Sequence, residues 1–384
     1  MSLLEYYLKQ GISPVYYQAK SVAEHLERRQ SLYDMLGLPG LLFRGRKVLE
    51  FAAGSGQNSL YVAAQMPERF MIVEPNPVAL KQIGESYADF EFPHTAPEIV
   101  PKMLEDFASD ELFDVVICEN WLGSPEHEQA LLPLILERVA PGGMLIMTAV
   151  SITGWLPNLV RYGLIRKLLL DRKMDYGEQA GVVTEALSSH LSTISGMTRS
   201  HEDWVKDNML NPRYLDTGIS MEMILEKANP LGFTVFGSSP AFISEWRWFK
   251  QLHGENLKTN ENALACYDRV QHNFLDYTKT FPDRDREKNR ELKKMCEALL
   301  ATMSTSRQKF DQNCFDEMAD ILGSIGYNLQ SVSEDLASAV GEATEILRSA
   351  EATPDAISSM KHFRQWFGRE TVYFSLQRSS RSFA

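Results

Sequence analysis

The stretch Lys47–Asn58, KVLEFAAGSGQN, decides how the rest of the chain is read. Val48, Leu49 and Phe51 form a short apolar strand that runs into small residues and then into a helix. Gly54 and Gly56 carry no Cβ, so the backbone can bend sharply and approach a ligand, toward which the next helix turns its unpaired N–H groups. This is the form of a nucleotide-cofactor turn. A plain strand-to-helix turn of an α/β protein is the other reading of the glycines taken alone.

A second apolar strand, Phe70 to Val73, ends on Glu74, 18 residues past Gly56. A carboxylate at the tip of the second strand of a Rossmann-like sheet accepts hydrogen bonds from ribose hydroxyls, which fits either a dinucleotide or S-adenosylmethionine. Two features separate them. Glu50 sits at the end of the first strand, where a dinucleotide has no use for a charge but an amino-acid cofactor presents its ammonium. The spacing G-S-G-x-x-S also lacks the third glycine with which dinucleotide folds pack helix against strand.

On these residues the stretch resembles the class I S-adenosylmethionine-dependent methyltransferases, whose first motif, acid-x-Gly-x-Gly-x-Gly, is represented by Glu50, Ala52, Gly54 and Gly56, with Ala52 in place of the first glycine. The resemblance implies a seven-stranded Rossmann-like α/β sheet with an antiparallel last strand, interrupted here by two mainly helical insertions. It implies S-adenosyl-L-methionine as cofactor, with Glu50 and the Gly54–Gly56 backbone at the methionine end and Glu74 on the ribose. Asn58 and Pro75 lie beside them. Asp106, in the pair Glu105-Asp106, stands where the family often reads the adenine amino group, an exposed helix start being the alternative.

Length and charge bound the rest. At 384 residues the chain holds a core plus appended parts, and 44% hydrophobic with 23% charged residues is ordinary for a soluble globular protein. No apolar run is long enough for a membrane span, and the first residues have no export signal, so a cytoplasmic protein is expected. A net charge of −12 argues against a nucleic-acid partner. Arg161, Arg166, Lys167, Arg172 and Lys173 read as the solvated face of a helix, and the four scattered cysteines as reduced thiols.

Taken in order, residues 1–43 read as a helical cap, in which Tyr16 or Tyr17 can stack on the cofactor, although core packing suits them better. Residues 44–150 form the cofactor-binding core, with strands at Phe70–Val73, near Ile99-Val100, at Phe113–Cys118 and at Met144–Val150, and a helix from Glu128 to Val139. Glu119 and Asn120 follow the fourth strand, at the sheet edge where ligands bind. His127 is the nearby candidate base, with an exposed helix-start histidine as the alternative. A helical insertion, 151–216, carries His190, Arg199, His201, Asp203, Trp204, Lys206, Asp207 and Asn208, a mixture that suits a substrate wall. Residues 217–240 return to the core with a helix and the sixth strand, Phe233–Phe236. A second helical insertion, 241–370, opens with Glu245-Trp246-Arg247-Trp248, suited to a pocket. Residues 371–384 hold the seventh strand, Thr371–Leu376, adjacent and antiparallel to the sixth.

The expected function is methyl transfer to a small-molecule or saccharide acceptor, at a hydroxyl, with His127 or His201 as base, in a chain able to self-associate through its C-terminal helical insertion. No motif of the sequence identifies a metal site. Two other classes stay open: a non-catalytic cofactor-binding scaffold that recruits a protein through its helical C-terminal part, and an NAD-dependent dehydrogenase, against which Glu50 and the missing glycine stand.

Overall fold

The computed structural model describes residues 3–10, 21–121, 123, 125–197 and 199–380; Tyr16 and Tyr17 lie outside these. Helices α1 (Leu3–Gln10) and α2 (Val22–Met35) precede β1 (Lys47–Phe51), α3 (Ser59–Ala64), β2 (Arg69–Val73), α4 (Pro77–Ala88), β3 (Glu98–Val100) and β4 (Phe113–Cys118). There follow α5 (Glu126–Gln129), α6 (Leu132–Glu137), β5 (Val139–Val150), α7 (Ile152–Leu168), α8 (Tyr176–Leu191), α9 (His201–Asn208), α10 (Met221–Ala228) and β6 (Phe233–Ser239). The chain continues through α11 (Thr259–Val270), α12 (Arg286–Thr305), α13 (Gln312–Leu329), α14 (Glu334–Arg348) and α15 (Pro354–Ser358) to β7 (Thr371–Arg378).

The seven strands form one sheet in the order β3-β2-β1-β4-β5-β7-β6, parallel except for β7, which runs antiparallel to both β5 and β6. The Rossmann-like architecture with an antiparallel seventh strand is therefore present. Its central strands are apolar on both faces because both faces are covered, and Val48, Phe70, Ile72, Val115, Ile117 and Ile146 share one core with Tyr33, Phe43 and Tyr61. Between α2 and the sheet, Gly237 is obligatory, since a Cβ there would lie 2.7 Å from the Leu36 carbonyl.

Some boundaries differ from expectation. The helix expected over Glu128–Val139 is two short helices, α5 and α6. Strand β5 starts earlier than Met144, at Val139, because Pro141-Gly142-Gly143 forms an irregularity within the strand rather than a turn before it, with Gly142 at φ +81°. Strand β6 likewise runs through a bulge to Ser239.

The chain divides into two compact units, one comprising Met1–Val150, Asp216–Tyr267 and Thr371–Ala384, the other Ser151–Leu215 and Asp268–Glu370. Residues 241–267 thus cluster with the sheet and not with the helical segment that follows. Asn260 gives the reason: its side-chain oxygen accepts from the Val235 N–H at 2.7 Å and its amide donates to the Phe233 carbonyl at 2.8 Å, closing the outer edge of β6.

The second unit is built around α7, which is buried nearly all round. The basic residues expected on a solvated face are a correction here. Arg161 is fully buried, stacked 3.6 Å from the Phe367 ring and donating to Asn158 Oδ1 and to the Phe363 and Arg364 carbonyls. Lys167 is buried against Phe315 and Gln312, and Arg166 is tied to the Met209 carbonyl. Gly163 admits Met318, whose Cε would lie 2.3 Å from a Cβ at that position.

Asn260→Ala leaves a buried donor and acceptor of β6 unpaired and is expected to lower stability by roughly 1 to 3 kcal/mol. Urea unfolding checks it; a midpoint unchanged from wild type at equal slope would show that the edge needs no side-chain partner.

Candidate functional site

The first unit brings three carboxylates to the carboxyl ends of three adjacent parallel strands. Phe51 of β1 pairs with Val73 of β2 on one side and with Cys118 of β4 on the other. Glu50 stands one residue before this last rung, and Glu74 and Glu119 each one residue after it. All three side chains are buried.

The turn between β1 and α3 has Ala52, Gly54 and Gly56 at φ of +55°, +57° and +75°. Ala52 thus adopts the left-handed conformation that glycine takes without cost, and its N–H bonds the Val73 carbonyl at 2.9 Å. A Cβ on Gly56 would lie 2.8 Å from Ile83 Cγ1, so the absence of a side chain lets α4 close on the turn. Glu74 braces the same turn, accepting from the Gly54 N–H at 3.0 Å and the Asn76 N–H at 2.9 Å. Burial raises its pKa, and those two backbone donors oppose the rise.

Glu50 is the most perturbed of the three. Burial, opposed by the Ser59 hydroxyl and reinforced by Glu119, raises its pKa to about 7, and its Oε2 is buried without a hydrogen-bond partner. Glu119 Oε2 is in the same condition. Its other oxygen, Oε1, accepts from Arg29 Nη2 at 2.7 Å and from Tyr33 Oη at 3.3 Å. Burial works against the Arg29 charge, yet Glu119 and Tyr33 more than offset it and raise its pKa. Asn120, at φ +54°, donates its N–H to Thr148 Oγ1 at 2.7 Å and its side-chain amide to Tyr373 Oη at 3.5 Å.

Helix α2 supplies the residues that sequence reasoning did not assign. Its His25, Arg29 and Tyr33, four apart, share one face. His25 Nε2 lies 3.1 Å from the Gln57 carbonyl in the glycine turn, Arg29 meets Glu119, and Tyr33 stacks on Tyr61 with centroids 5.1 Å apart. The repeat of polar residues at helical spacing was the available signal.

Other expected site residues fall elsewhere. Asn58 precedes α3 in the turn, and Pro75 follows Glu74. Asp106 is exposed in the loop after β3, which Phe107 ties to the tip of β1 by an edge-on contact with Phe51 at 5.7 Å. His127 is 71% exposed on α5, with Nε2 3.6 Å from Glu128 Oε1. His201 opens α9 in the second unit. Much of the mixture expected to form a substrate wall is engaged internally: His190 is buried on the Ile357 carbonyl, Arg199 pairs with Asp207 at 2.8 Å, and Lys206 with Glu202 at 2.5 Å. Nor does Glu245–Trp248 form a pocket. Trp246 is 92% exposed, and Arg247 is spent on Glu245 and on the Asn256 and Leu257 carbonyls, which makes the segment a braced surface loop.

No protein-family model matches the chain, and no curated protein sequence does. Among solved structures it is similar to the DhpI–SAH complex, at 21% identity over 39% of this chain and 61% of that one, with a TM-score of 0.26. It is similar to the N-methyltransferase NodS from Bradyrhizobium japonicum WM9 in complex with S-adenosyl-L-homocysteine, at 15% identity over 38% of this chain and 74% of that one, TM-score 0.30. It is also similar to PKMT2 from Rickettsia typhi in complex with AdoHcy, at 16% identity over 63% of this chain and 49% of that one, TM-score 0.40. The chain spans less than two thirds of the length of DhpI and about half that of PKMT2. Likenesses of this degree concern the fold, so the functional reading rests on the residues of the site.

Because folding raises the Glu50 pKa, this carboxylate destabilises the fold progressively as pH rises from 4.5 through about 7. The advantage of Glu50→Gln over wild type in urea unfolding is therefore expected to grow by about 2 kcal/mol between pH 5 and pH 8. An advantage equal at both values would place Glu50 in water.

Proposed function

We propose that the chain is an S-adenosylmethionine-dependent methyltransferase acting on a small-molecule or saccharide acceptor. The observation that carries this reading is the pair of orphaned, buried carboxylate oxygens, Glu50 Oε2 and Glu119 Oε2, beside a glycine turn. Buried acceptors without partners are costly, and two acids sharing one guanidinium leave a deficit of positive charge that an α-ammonium corrects. The residues therefore fit an amino-acid cofactor. Glu50 and Glu119 would hold its ammonium, the Gly54–Gly56 backbone its methionine chain, and Glu74, with lone pairs beyond those used by Gly54 and Asn76, its ribose hydroxyls. A dinucleotide offers nothing to a carboxylate at position 50.

When bound, this cofactor supplies a methyl group already activated on a sulfonium, so what remains for the protein is placement and proton removal. Glu50 and Glu119 would fix the cofactor's orientation, and the buried setting strengthens each contact by excluding water. An acceptor hydroxyl must lose a proton to a base, for which His127 is the candidate in the first unit and His201 in the second.

Isothermal titration with S-adenosylmethionine and with NAD tests the cofactor. S-adenosylmethionine is expected to bind roughly tenfold more weakly at pH 5.5 than at pH 7.5, because the Glu50 proton must be released first, and Glu50→Gln is expected to abolish that dependence. Binding of NAD alone would overturn the reading. Transfer of a labelled methyl group into fractionated extract then tests catalysis: His127→Ala and His201→Ala are expected to lower turnover at unchanged cofactor affinity, and wild-type rates from pH 6 to 9 would remove both from the base role.

A further inference from the structure

The ion pair between Arg29 and Glu119 joins the N-terminal helix to the tip of β4, and its geometry is one-sided. Arg29 is 6% exposed, and its Nη2 is committed to Glu119 Oε1 and to Tyr33 Oη at 2.7 and 2.9 Å. The opposite oxygen, Glu119 Oε2, and Glu50 Oε2 on the neighbouring strand make no such contact. The guanidinium therefore holds one edge of one carboxylate and leaves the other edge, together with the second carboxylate, to a different partner.

We propose that Arg29 is a positioning residue of the cofactor site: by clamping Glu119 Oε1 it holds that carboxylate with its Oε2 presented, alongside Glu50, to the α-ammonium of the amino-acid cofactor. This rests on the S-adenosylmethionine reading above. Without Arg29, Glu119 loses its clamp and the buried Glu50 loses a neighbouring positive charge, so Glu50 holds its proton to higher pH and a cation can enter only after that proton leaves. The groups that face the two acids are Glu74 just after β2, Cys118 from β4, Tyr87 from α4 and Tyr33 from α2, while His25 from α2 and Tyr373 from β7 face Arg29. Burial is the largest cause that lowers the His25 pKa, and it persists when Arg29 is removed. Burial raises the Tyr33 and Cys118 pKa values, which favours their neutral forms. Arg29 is thus the cation that opposes burial at Glu50 and pairs with Glu119. By reciprocity, cofactor binding and the docking of α2 favour each other.

The test compares wild type, Arg29→Met, Arg29→Lys and the double variant Arg29→Met/Glu119→Gln in their dissociation constants for S-adenosyl-L-homocysteine and S-adenosylmethionine from pH 6.5 to 8.5. Taking each variant as a ratio to wild type cancels the ligand's own titration. For Arg29→Met the ratio is expected to fall from more than tenfold at pH 6.5 to about twofold at pH 8.5, because the Glu50 proton is lost with rising pH. Arg29→Lys retains the charge, and the double variant removes the second acid, so both are expected to give ratios that do not change with pH. If Arg29 merely packs α2, Arg29→Met weakens binding by the same factor throughout, and that result overturns the proposal. A wild type that binds neither ligand overturns the cofactor reading instead. The Glu50 carboxyl titration, followed by ¹³C NMR in the ligand-free protein, still decides the role of Arg29 in that event: its midpoint moves up in Arg29→Met if the proposal holds and stays in place if it does not. Should Arg29→Met fail to fold, Arg29→Lys must titrate as wild type does and the double variant must hold a pH-independent ratio; a pH-dependent ratio in either overturns the proposal.

Discussion

Two carboxylates held out of water beside a single guanidinium are the constraint on which the first unit depends. Raising the Glu50 pKa from 4.5 to about 7 corresponds to something on the order of 3 kcal/mol of unfavourable burial when the group is ionised. A marginally stable fold tolerates this only where the surroundings are firmly set. The buried strands β1 and β4 set the two acids, and the aromatic group of Tyr33, Tyr61 and Phe43 sets the helix that delivers the guanidinium. Ser375, itself buried, adds a hydrogen bond to the Leu36 carbonyl at 2.7 Å just beyond the end of α2. Strain at the binding site and order in its supports are two sides of one arrangement.

The central strands were legible because they are continuous apolar runs bounded by Gly, Pro or acid, whereas the short, exposed β3 was poorly marked. FDVVIC has one reading in an α/β chain, and the glycine turn between β1 and α3 announces itself by residues that lack side chains where a side chain would collide. The three acids were legible for a related reason, since position at a strand's carboxyl end is nearly a function of sequence once the strands are known. Residues whose environment comes from far along the chain were not. Arg161 reads as a solvated helix residue because nothing near it reveals that Phe363 and Phe367 will flank its guanidinium, and nothing near Asn260 reveals that it closes the edge of β6. Periodicity shows which face of a helix is apolar; it does not show what covers the other face. For that reason residues 1–43 read as a helical cap whose Tyr16 or Tyr17 could meet the cofactor, when the polar stripe of His25, Arg29 and Tyr33 on α2 is what reaches the site.

The same distinction bears on Trp246, Arg247 and Trp248. Their residue types suit a pocket, but a guanidinium satisfied by its own loop has little left with which to bind anything else. Residue type gives chemical potential, and only hydrogen-bond satisfaction shows whether that potential has already been used.

Strand β7 lies between β5 and β6, pairing Leu376 with Leu145 on one side and with Val235 on the other. On the ribosome, which delivers the chain from its N-terminus, β5 and β6 emerge long before the strand that separates them. Until residues 371–378 are available, two apolar strands have open backbone edges, free to pair with each other in the wrong register or with a neighbouring nascent chain. Completion of this sheet therefore waits until residues 371–378 have been made, and the edges of β5 and β6 are exposed in the interval before it.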